Sequence, residues 1–446
     1  MTSGVQLKKQ VLATIDARRD EIIEVGESIM DAPELGFKEK QTAQRVTQIF
    51  RACGLPFDDG LALTGVKAVL RGGRPGPTIA LMGELDALLV PDHPRANPET
   101  GAAHACGHNA QIAGLLGAAM GLSASGVAEH LAGNVVFFAV PAEEYVEINY
   151  RLGLVKAGKT SFLTGKQELI ELGLFDDVDM AVMIHSSSPE TQEGMMGVPV
   201  SSNGFLAKSI RFLGRAAHSG AAPQRGINAL SAATLALSAI DAQRATFRDQ
   251  DCVRVHPIIT KGGDLVNIVP AEVCLETYVR GKTREAILDA SGKVDRALRG
   301  AAIAMGCRVE IETVPGNLPL RNDPELCRVF RANAEQVLSA DGYRDYPHGG
   351  GSTDAGDLSQ IMPVLHPMMT GGRGFHHQTD WCIADHEAGY LAPAKTLATM
   401  AIDLLSEDGA QANQVLAQHH PAMGKDEYLD YQRSIFQTEI YDGQTA

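Results

Sequence analysis

The sequence predicts an α/β fold, in which helices flank a central mixed sheet, with a smaller inserted α+β domain. Short apolar runs bounded by glycine and proline alternate with helical stretches in the first 200 residues, as is typical of a helix-covered sheet. The pattern changes after about residue 202 and returns near residue 315. We therefore predict one domain in two parts, 1–202 and 315–446, around an inserted domain, 203–314.

In the first part, apolar residues at helical spacing from Leu7 to Ala52 predict two helices, separated by a turn at 31–36. A small-residue apolar stretch from Ala110 to Ser125 predicts a packed helix. Buried strands are predicted at the apolar runs 66–70, 78–83 and 134–140.

The inserted domain is predicted to carry its own sheet. Its strands are expected at 207–213, 252–260, 272–280 and 308–313, and its helices at 227–245 and 284–305. The polar tail after about Glu407 is expected to lie on the surface.

Composition narrows the class of protein. With 446 residues and 44% hydrophobic content, the chain can bury a full core and is not disordered. The net charge of -15 comes from 54 acidic and 39 basic residues without a basic block, which argues against nucleic acid and anionic membranes as partners. Seven scattered cysteines and no signal-peptide pattern favour reduced thiols and a cytoplasmic location.

Metal-type ligands follow several predicted strands. Cys106 and His108 stand just before the small-residue helix, and His185 ends another apolar run. Thiolate and imidazole are favoured ligands of zinc. Each of these residues alone is more often an ordinary core or loop residue. Together they are harder to dismiss, because open sheets place sites at the carboxyl ends of strands.

Two adjacent carboxylates, Glu143 and Glu144, follow the apolar run 134–140. Buried carboxylates are costly unless they are paired or bind a cation. One could bind metal while its neighbour serves as a general base. A helix beginning with Glu in its first turn is the alternative that this segment leaves open. A histidine pair, His376 and His377, follows a glycine-rich loop late in the chain.

These segments resemble the aminoacylase and aminobenzoyl-glutamate hydrolase family of dinuclear metallopeptidases over essentially the whole chain. The similar stretches lie at 83–88, 104–108, 141–144, 214–219, 262–270 and 351–357. Each is a weak signal alone, but their order and spacing together are specific. The resemblance implies a metallopeptidase catalytic domain with an inserted lid and dimerisation domain.

The resemblance also implies roles for individual residues. Cys106 would contact two divalent metal ions, with Glu144 and the late histidine completing one coordination shell and His108 and His185 the other. Glu143 would be the general base. We prefer His377 to His376, because an acid, Asp380, follows it by the three residues seen in relatives.

Further residues are implied outside the metal ligands. Asp86 matches a position that orients a metal-binding histidine. His218 and Asn267 match residues of the inserted domain that hold the substrate, often across a homodimer interface. Arg280 resembles a contact to a substrate carboxylate, although an ordinary Arg at a strand end is an equal alternative.

The sequence departs from the family at four places. Asn109 replaces the usual acid after Cys-Gly-His, and Gln111 stands where a histidine is common. Glu84 lies where relatives carry another acid or a histidine. The segment 145–166 is longer than usual and is expected to shape the pocket.

We expect hydrolysis of the amide bond of a small molecule, such as an N-acyl amino acid, aminobenzoyl-glutamate or a dipeptide. A hydrolytic deaminase of an aromatic amine on the same dinuclear site stays open. A non-catalytic metal-binding protein is the third possibility, although a base beside a ligand counts against it. Cys106 favours zinc, while the carboxylate and the histidines also accept manganese.

Overall fold

A computed structural model of the chain describes residues 4–445. The helices are α1 Gly4–Ala17, α2 Arg19–Met30, α3 Lys40–Ala52, α4 His108–Ala124, α5 Ile148–Lys156, α6 Gly165–Glu171, α7 Ala229–Ala242, α8 Arg284–Met305, α9 Pro324–Val337, α10 Ala355–Ile361, α11 Ala392–Leu405, α12 Ala410–Gln418 and α13 Lys425–Ile435.

The strands occur between and after these helices. They are β1 Phe57–Leu61, β2 Gly65–Arg71, β3 Arg74–Glu84, β4 Leu88–Leu89, β5 Ala102–Ala103, β6 Ala132–Val140, β7 Met180–Val182, β8 His185–Ser186, β9 Met196–Pro199, β10 Gly204–Leu213, β11 Arg254–Val255, β12 Ile258–Lys261, β13 Glu272–Gly281, β14 Arg308–Pro315, β15 Tyr343–Tyr346, β16 Val364–Leu365, β17 Met368–Met369, β18 Gly372–Arg373, β19 Cys382–Ile383 and β20 Gln437–Asp442.

The chain divides into two compact units. The first comprises residues up to 201 together with 321–347 and 357–424, and the second comprises 202–320, 348–356 and the residues from 425 onward. The predicted domain ranges 1–202, 203–314 and 315–446 stay a prediction. Residues 1–3 and 446, which those ranges include, lie outside the described residues.

A six-stranded sheet forms the centre of the first unit, in the order β1-β2-β6-β3-β7-β16. The pairs β1 with β2 and β2 with β6 are antiparallel, whereas β3 pairs with β6 and β7 in parallel and β16 pairs with β7 in parallel. The predicted mixed sheet flanked by helices is thereby confirmed. Its inner strands β3 and β6 are buried along most of their length, as expected for strands covered by helices.

Helix α4 is the central helix of the first unit. Its residues from His108 to Leu122 are all buried, and small residues let it pack closely against β3 and α11. The predicted helical stretch before it forms three helices instead of two, because the first of the predicted helices is broken at Arg18 between α1 and α2.

A second sheet, in the order β11-β13-β10-β14-β20, forms the centre of the second unit. Along β13, buried and half-buried residues alternate, as in a strand with one face on a core. The last strand, β20, lies in this sheet, where it pairs antiparallel with β14. The tail was expected only to lie on the surface, and polar composition did not reveal this edge strand.

The seven cysteines are free thiols. Among residues 4–445, none of the helices combines the length and apolar character required to cross a membrane.

Candidate metal centre

The metal-type residues of the first unit gather where strands end and α4 begins. Glu84 ends β3, the Glu143–Glu144 pair follows β6, and His185 begins β8. Cys106 and His108 flank Gly107 at the start of α4. Parallel neighbours such as β3 and β6 end at the same edge of a sheet, which explains why these segments meet.

Gly107 is required by this close packing. Its φ is 84°, in the left-handed region, and a Cβ at this position would lie 1.9 Å from Ser186 Oγ. The Cys-Gly-His sequence therefore owes its middle residue to backbone geometry and space, and not to ligand chemistry.

Cys106, His108 and His185 form one group whose potential ligand atoms lie within 4.8 Å of one another. Cys106 Sγ is 3.4 Å from His185 Nε2. The other ring nitrogens are engaged: His108 Nδ1 is 2.9 Å from the Asp86 carbonyl oxygen and His185 Nδ1 is 2.7 Å from that of Ser186. Donation from Nδ1 leaves the Nε2 lone pair of each neutral ring for a cation.

Cys106, Glu144 and His377 form a second group within the same distance limit. His377 Nε2 is 3.3 Å from Glu144 Oε1. Burial opposes the charged forms, but the mutual attraction outweighs it, so the pKa of Glu144 falls to about 2 and that of His377 rises to about 11. Cys106 is the residue that the two groups share.

Two ligand-type atoms in these groups are buried without a hydrogen bond in the described part of the chain. They are His108 Nε2 and Glu144 Oε1. Each faces a charged neighbour at short range without the alignment of a hydrogen bond. Orphaned buried acceptors of this kind, in a set of thiolate, imidazole and carboxylate, fit divalent metal ions.

Glu143 directly precedes Glu144 of the second group in the sequence, and its side chain lies close to His108 of the first. It is 8% exposed, and its Oε2 atom is 4.0 Å from His108 Nε2. Glu84, His108 and Glu143 form a third group of potential ligand atoms within 4.8 Å.

Glu84 is held by partners that sequence reasoning did not connect. Lys166 Nζ lies 2.6 Å from Glu84 Oε1, and Gln111 Nε2 donates to Glu84 Oε2 at 2.7 Å. Burial would raise the pKa of Glu84, but the nearby charge of Lys166 is the largest opposing cause, and the net result is a lowered pKa. Two departures from the family pattern, Glu84 and Gln111, are therefore partners of each other.

Asp86 connects a histidine with the carboxylate pair. Its Oδ2 accepts from the Glu144 backbone N–H at 2.9 Å, and its Oδ1 is 3.4 Å from His108 Nδ1. Asp86 is fully buried. It can fix the tautomer and the orientation of His108 as well as the backbone of Glu144.

His376 and His377 have different surroundings. His376 Nε2 is 3.1 Å from the Ser186 carbonyl oxygen, and its ring packs 4.1 Å from the Trp381 ring. His377 has a left-handed φ of 65°, and its backbone N–H donates to the Ala105 carbonyl at 2.7 Å. That bond anchors His377 beside Cys106.

Asn109 does not join the candidate ligands. Its side chain donates to the Gly26 carbonyl at 3.2 Å and to Tyr390 Oη at 3.1 Å. The residue that replaces the family's usual acid therefore serves helix packing.

Three predicted residues belong to the second unit. His218 and Asn267 lie in neighbouring exposed loops, joined by a bridge between His218 and Ile268. His218 Nδ1 accepts backbone N–H bonds from Gly220 and Ala221 at 3.2 and 3.0 Å. Its neutral ring therefore carries the hydrogen on Nε2.

The side chain of Arg280 contacts a loop of the second unit, 348–356. Its Nη1 donates to Ser352 Oγ at 2.7 Å, and its guanidinium lies 5.1 Å from the Phe205 ring centroid. Ser352 belongs to one of the stretches that resemble the family.

Sequence reasoning missed several buried residues around the metal-type groups. The ring of His366 packs 5.6 Å from that of His185, and Glu39 accepts from the Ala142 backbone N–H at 2.8 Å. Lys166 and Arg151 lay in a segment already marked as unusually long. Neither His366 nor Glu39 stands in a short motif, so spacing offered no signal for them.

The fold and this donor set together define a class, the metal-dependent hydrolases. A model of peptidase family M20/M25/M40 matches residues 80–403. The chain belongs to this family.

Named relatives and solved structures agree with that assignment. The chain is 28% identical to Xaa-Arg dipeptidase of Mus musculus, over 90% of this chain and 89% of the relative. It is also 28% identical to one component of the p-aminobenzoyl-glutamate hydrolase of Escherichia coli, over 70% of each chain. A Bacillus subtilis structure, described as a dinuclear metal-binding peptidase from the M20 family, shares the fold with a TM-score of 0.64 and 23% identity, covering 87% of this chain and 99% of that one.

Proposed function

We propose that the protein hydrolyses the amide bond of an N-acyl amino acid, an aminobenzoyl-glutamate-like compound or a dipeptide, using two divalent metal ions. The observation that carries this proposal is that Cys106 belongs to both ligand groups, with Glu143 4.0 Å from His108 of one of them. The names of the relatives, Xaa-Arg dipeptidase and p-aminobenzoyl-glutamate hydrolase, support an amide substrate.

The proposed ligands divide between two ions that share Cys106. One ion would be held by His108 and His185, and the other by Glu144 and His377. We prefer His377 to His376, because His377 lies 3.3 Å from Glu144 whereas the His376 ring nitrogen lies at the Ser186 carbonyl. Cys106 favours zinc, and the remaining ligands also suit manganese. When bound, the ions would lower the pKa of a water molecule and polarise the amide carbonyl.

Glu143 is the proposed general base. It would accept a proton from the attacking water and pass it to the nitrogen of the leaving amine. A carboxylate that can hydrogen-bond to the water and to the amine can act in this way. Asp86 is a positioning residue in this proposal, because it bonds to the backbone of Glu144 and contacts His108.

The second unit would supply substrate contacts. The neutral His218 ring carries its hydrogen on Nε2, so it can donate to an oxyanion as negative charge develops on the carbonyl oxygen. Asn267 would hold the substrate, and Arg280, whose planar guanidinium suits a carboxylate, would bind the acid group. Leu265, Val266 and Ile268, which flank Asn267, are all exposed apolar residues, and this apolar patch supports the homodimer that the family resemblance implies.

The test is a substrate panel with two readouts. N-acyl amino acids, aminobenzoyl-glutamate and dipeptides should yield a free amine by cleavage of the acyl bond, at a rate that depends on added Zn²⁺ or Mn²⁺. Ammonia release from aromatic amines, measured in parallel, should stay at background. Ammonia release without acyl cleavage would replace the proposal with a deaminase, and metal binding without either reaction would indicate a binding protein.

A further inference from the structure

The Glu143–Glu144 pair sits on an unusual turn. Ala142, just before it, has a left-handed φ of 53°, a conformation that is strained for a residue other than glycine. Such a conformation persists only where the surroundings hold it.

Partners for the turn come from several segments. Glu39 accepts from the Ala142 N–H, and Asp86 accepts from the Glu144 N–H. The carbonyl oxygens of Ala142 and Glu144 both accept hydrogen bonds from the Arg151 guanidinium.

Arg151 lies on α5, in the long segment that follows the carboxylate pair. Its side chain is 1% exposed, and it also donates to the Leu163 carbonyl at 2.7 Å. No carboxylate pairs with it within residues 4–445. Burying a cation without an acid partner is costly. Because Arg151 donates to three backbone carbonyl oxygens instead, we infer that it stabilises the conformation of the backbone.

The fit around the guanidinium is tight. A Cβ on Gly36 would lie 2.4 Å from Arg151 Nη2 and 3.0 Å from the Ala142 Cα atom. The Phe37 ring lies 5.4 Å from the guanidinium carbon. The guanidinium is thus closely packed between Gly36, Phe37 and the turn, to which its planar group donates.

We propose that Arg151 is a positioning residue for catalysis, which holds the backbone on both sides of Glu143 so that this carboxylate keeps its geometry. The inference rests on the proposed role of Glu143 as the general base. On this proposal, the long segment 145–166 serves catalysis because it places the Arg151 side chain against the turn. The side chain is too buried to bind substrate.

The test compares Arg151→Met with Arg151→Lys and with a control, Lys67→Met. Lys67 is a buried cation on β2 that donates to the Leu174 carbonyl and pairs with Asp177, so it tests the loss of a buried cation away from the carboxylate turn. Arg151→Met should lower kcat about 10- to 100-fold, as loss of an outer partner of a metal site does, with KM within about 3-fold. Arg151→Lys keeps a donor and the charge, so it should recover part of kcat. Lys67→Met should keep wild-type kcat.

Coupling to Glu143 separates positioning from a general loss of structure. In a Glu143→Gln background, Arg151→Met should lower the residual rate by less than about 3-fold, because the base it positions is already gone. A 10- to 100-fold loss in both backgrounds would overturn the proposal, as would wild-type kcat in Arg151→Met. If Arg151→Met does not fold, Arg151→Lys in both backgrounds decides by the same criterion. A fully active Glu143→Gln would instead refute the proposed function itself.

Discussion

Glu144 Oε1 lies 3.3 Å from His377 Nε2, whereas the neighbouring His376 places its Nε2 at the Ser186 carbonyl and its ring against Trp381. Adjacent histidines thus have distinct environments. His377→Ala should lower metal content by one equivalent per chain, while His376→Ala should retain both. Metal analysis after dialysis against metal-free buffer measures this. Loss of metal from His376→Ala alone would reverse the assignment.

Glu143→Gln should abolish turnover without loss of metal. The amide cannot accept a proton, but it nearly preserves shape, so we expect a rate about 100- to 10,000-fold lower, the range typical of general acid–base catalysis. Kinetics and metal content are to be measured on one preparation. A variant within 10-fold of the wild-type rate would remove Glu143 from the mechanism.

Glu39 predicts an unusual dependence of stability on pH. Burial, together with the nearby Asp86, raises the pKa of Glu39 to about 7 in the folded protein, above its ordinary value of 4.5. Because this pKa is raised in the folded state, the contribution of Glu39 to stability is fully present below pH 4.5 and is lost as pH rises through 7. Replacing Glu39 with Gln removes this loss.

The free energy of unfolding, measured by denaturant titration from pH 5 to 8, checks this prediction. The difference between Glu39→Gln and the wild type should shift in favour of the variant as pH rises. Glu34→Gln is a suitable control, because Glu34 also accepts backbone N–H bonds but is only half-buried. A constant difference for Glu39→Gln would contradict the raised pKa.

The fold could be predicted largely from periodicity. Strands β3 and β6 and helix α4 are long, apolar and bounded by glycine or proline, so their patterns are strong. Strand β20, with the sequence Gln-Thr-Glu-Ile-Tyr-Asp, is mostly exposed and polar. An edge strand is held by backbone pairing, which composition does not show.

The residues of the candidate site that belong to short sequence motifs could be predicted. Cys106, His108 and the Glu143–Glu144 pair are close in sequence to strand or helix ends. Glu39 and Arg151 reach the same turn from segments 103 and 9 residues away from Ala142. Their contacts depend on tertiary packing, which one sequence without its fold does not reveal.

His218 offers a test of a shared site. His218→Ala should lower kcat while metal content is unchanged, because a donor to the developing oxyanion is lost. If a homodimer uses His218 across its interface, mixing His218→Ala with Glu143→Gln protomers should restore activity through heterodimers with one intact site. Confirmed exchange of protomers without recovered activity would confine His218 to its own chain or exclude it.

Removal and return of metal tests the dinuclear site most directly. Protein stripped by a chelator should be inactive on an N-acyl amino acid. Titration with Zn²⁺ or Mn²⁺, following amine release and bound metal together, should restore activity as two equivalents bind, and Cys106→Ala should bind less and stay inactive. Full hydrolysis by the stripped protein, or saturation at one equivalent with full activity, would contradict the dinuclear hydrolase.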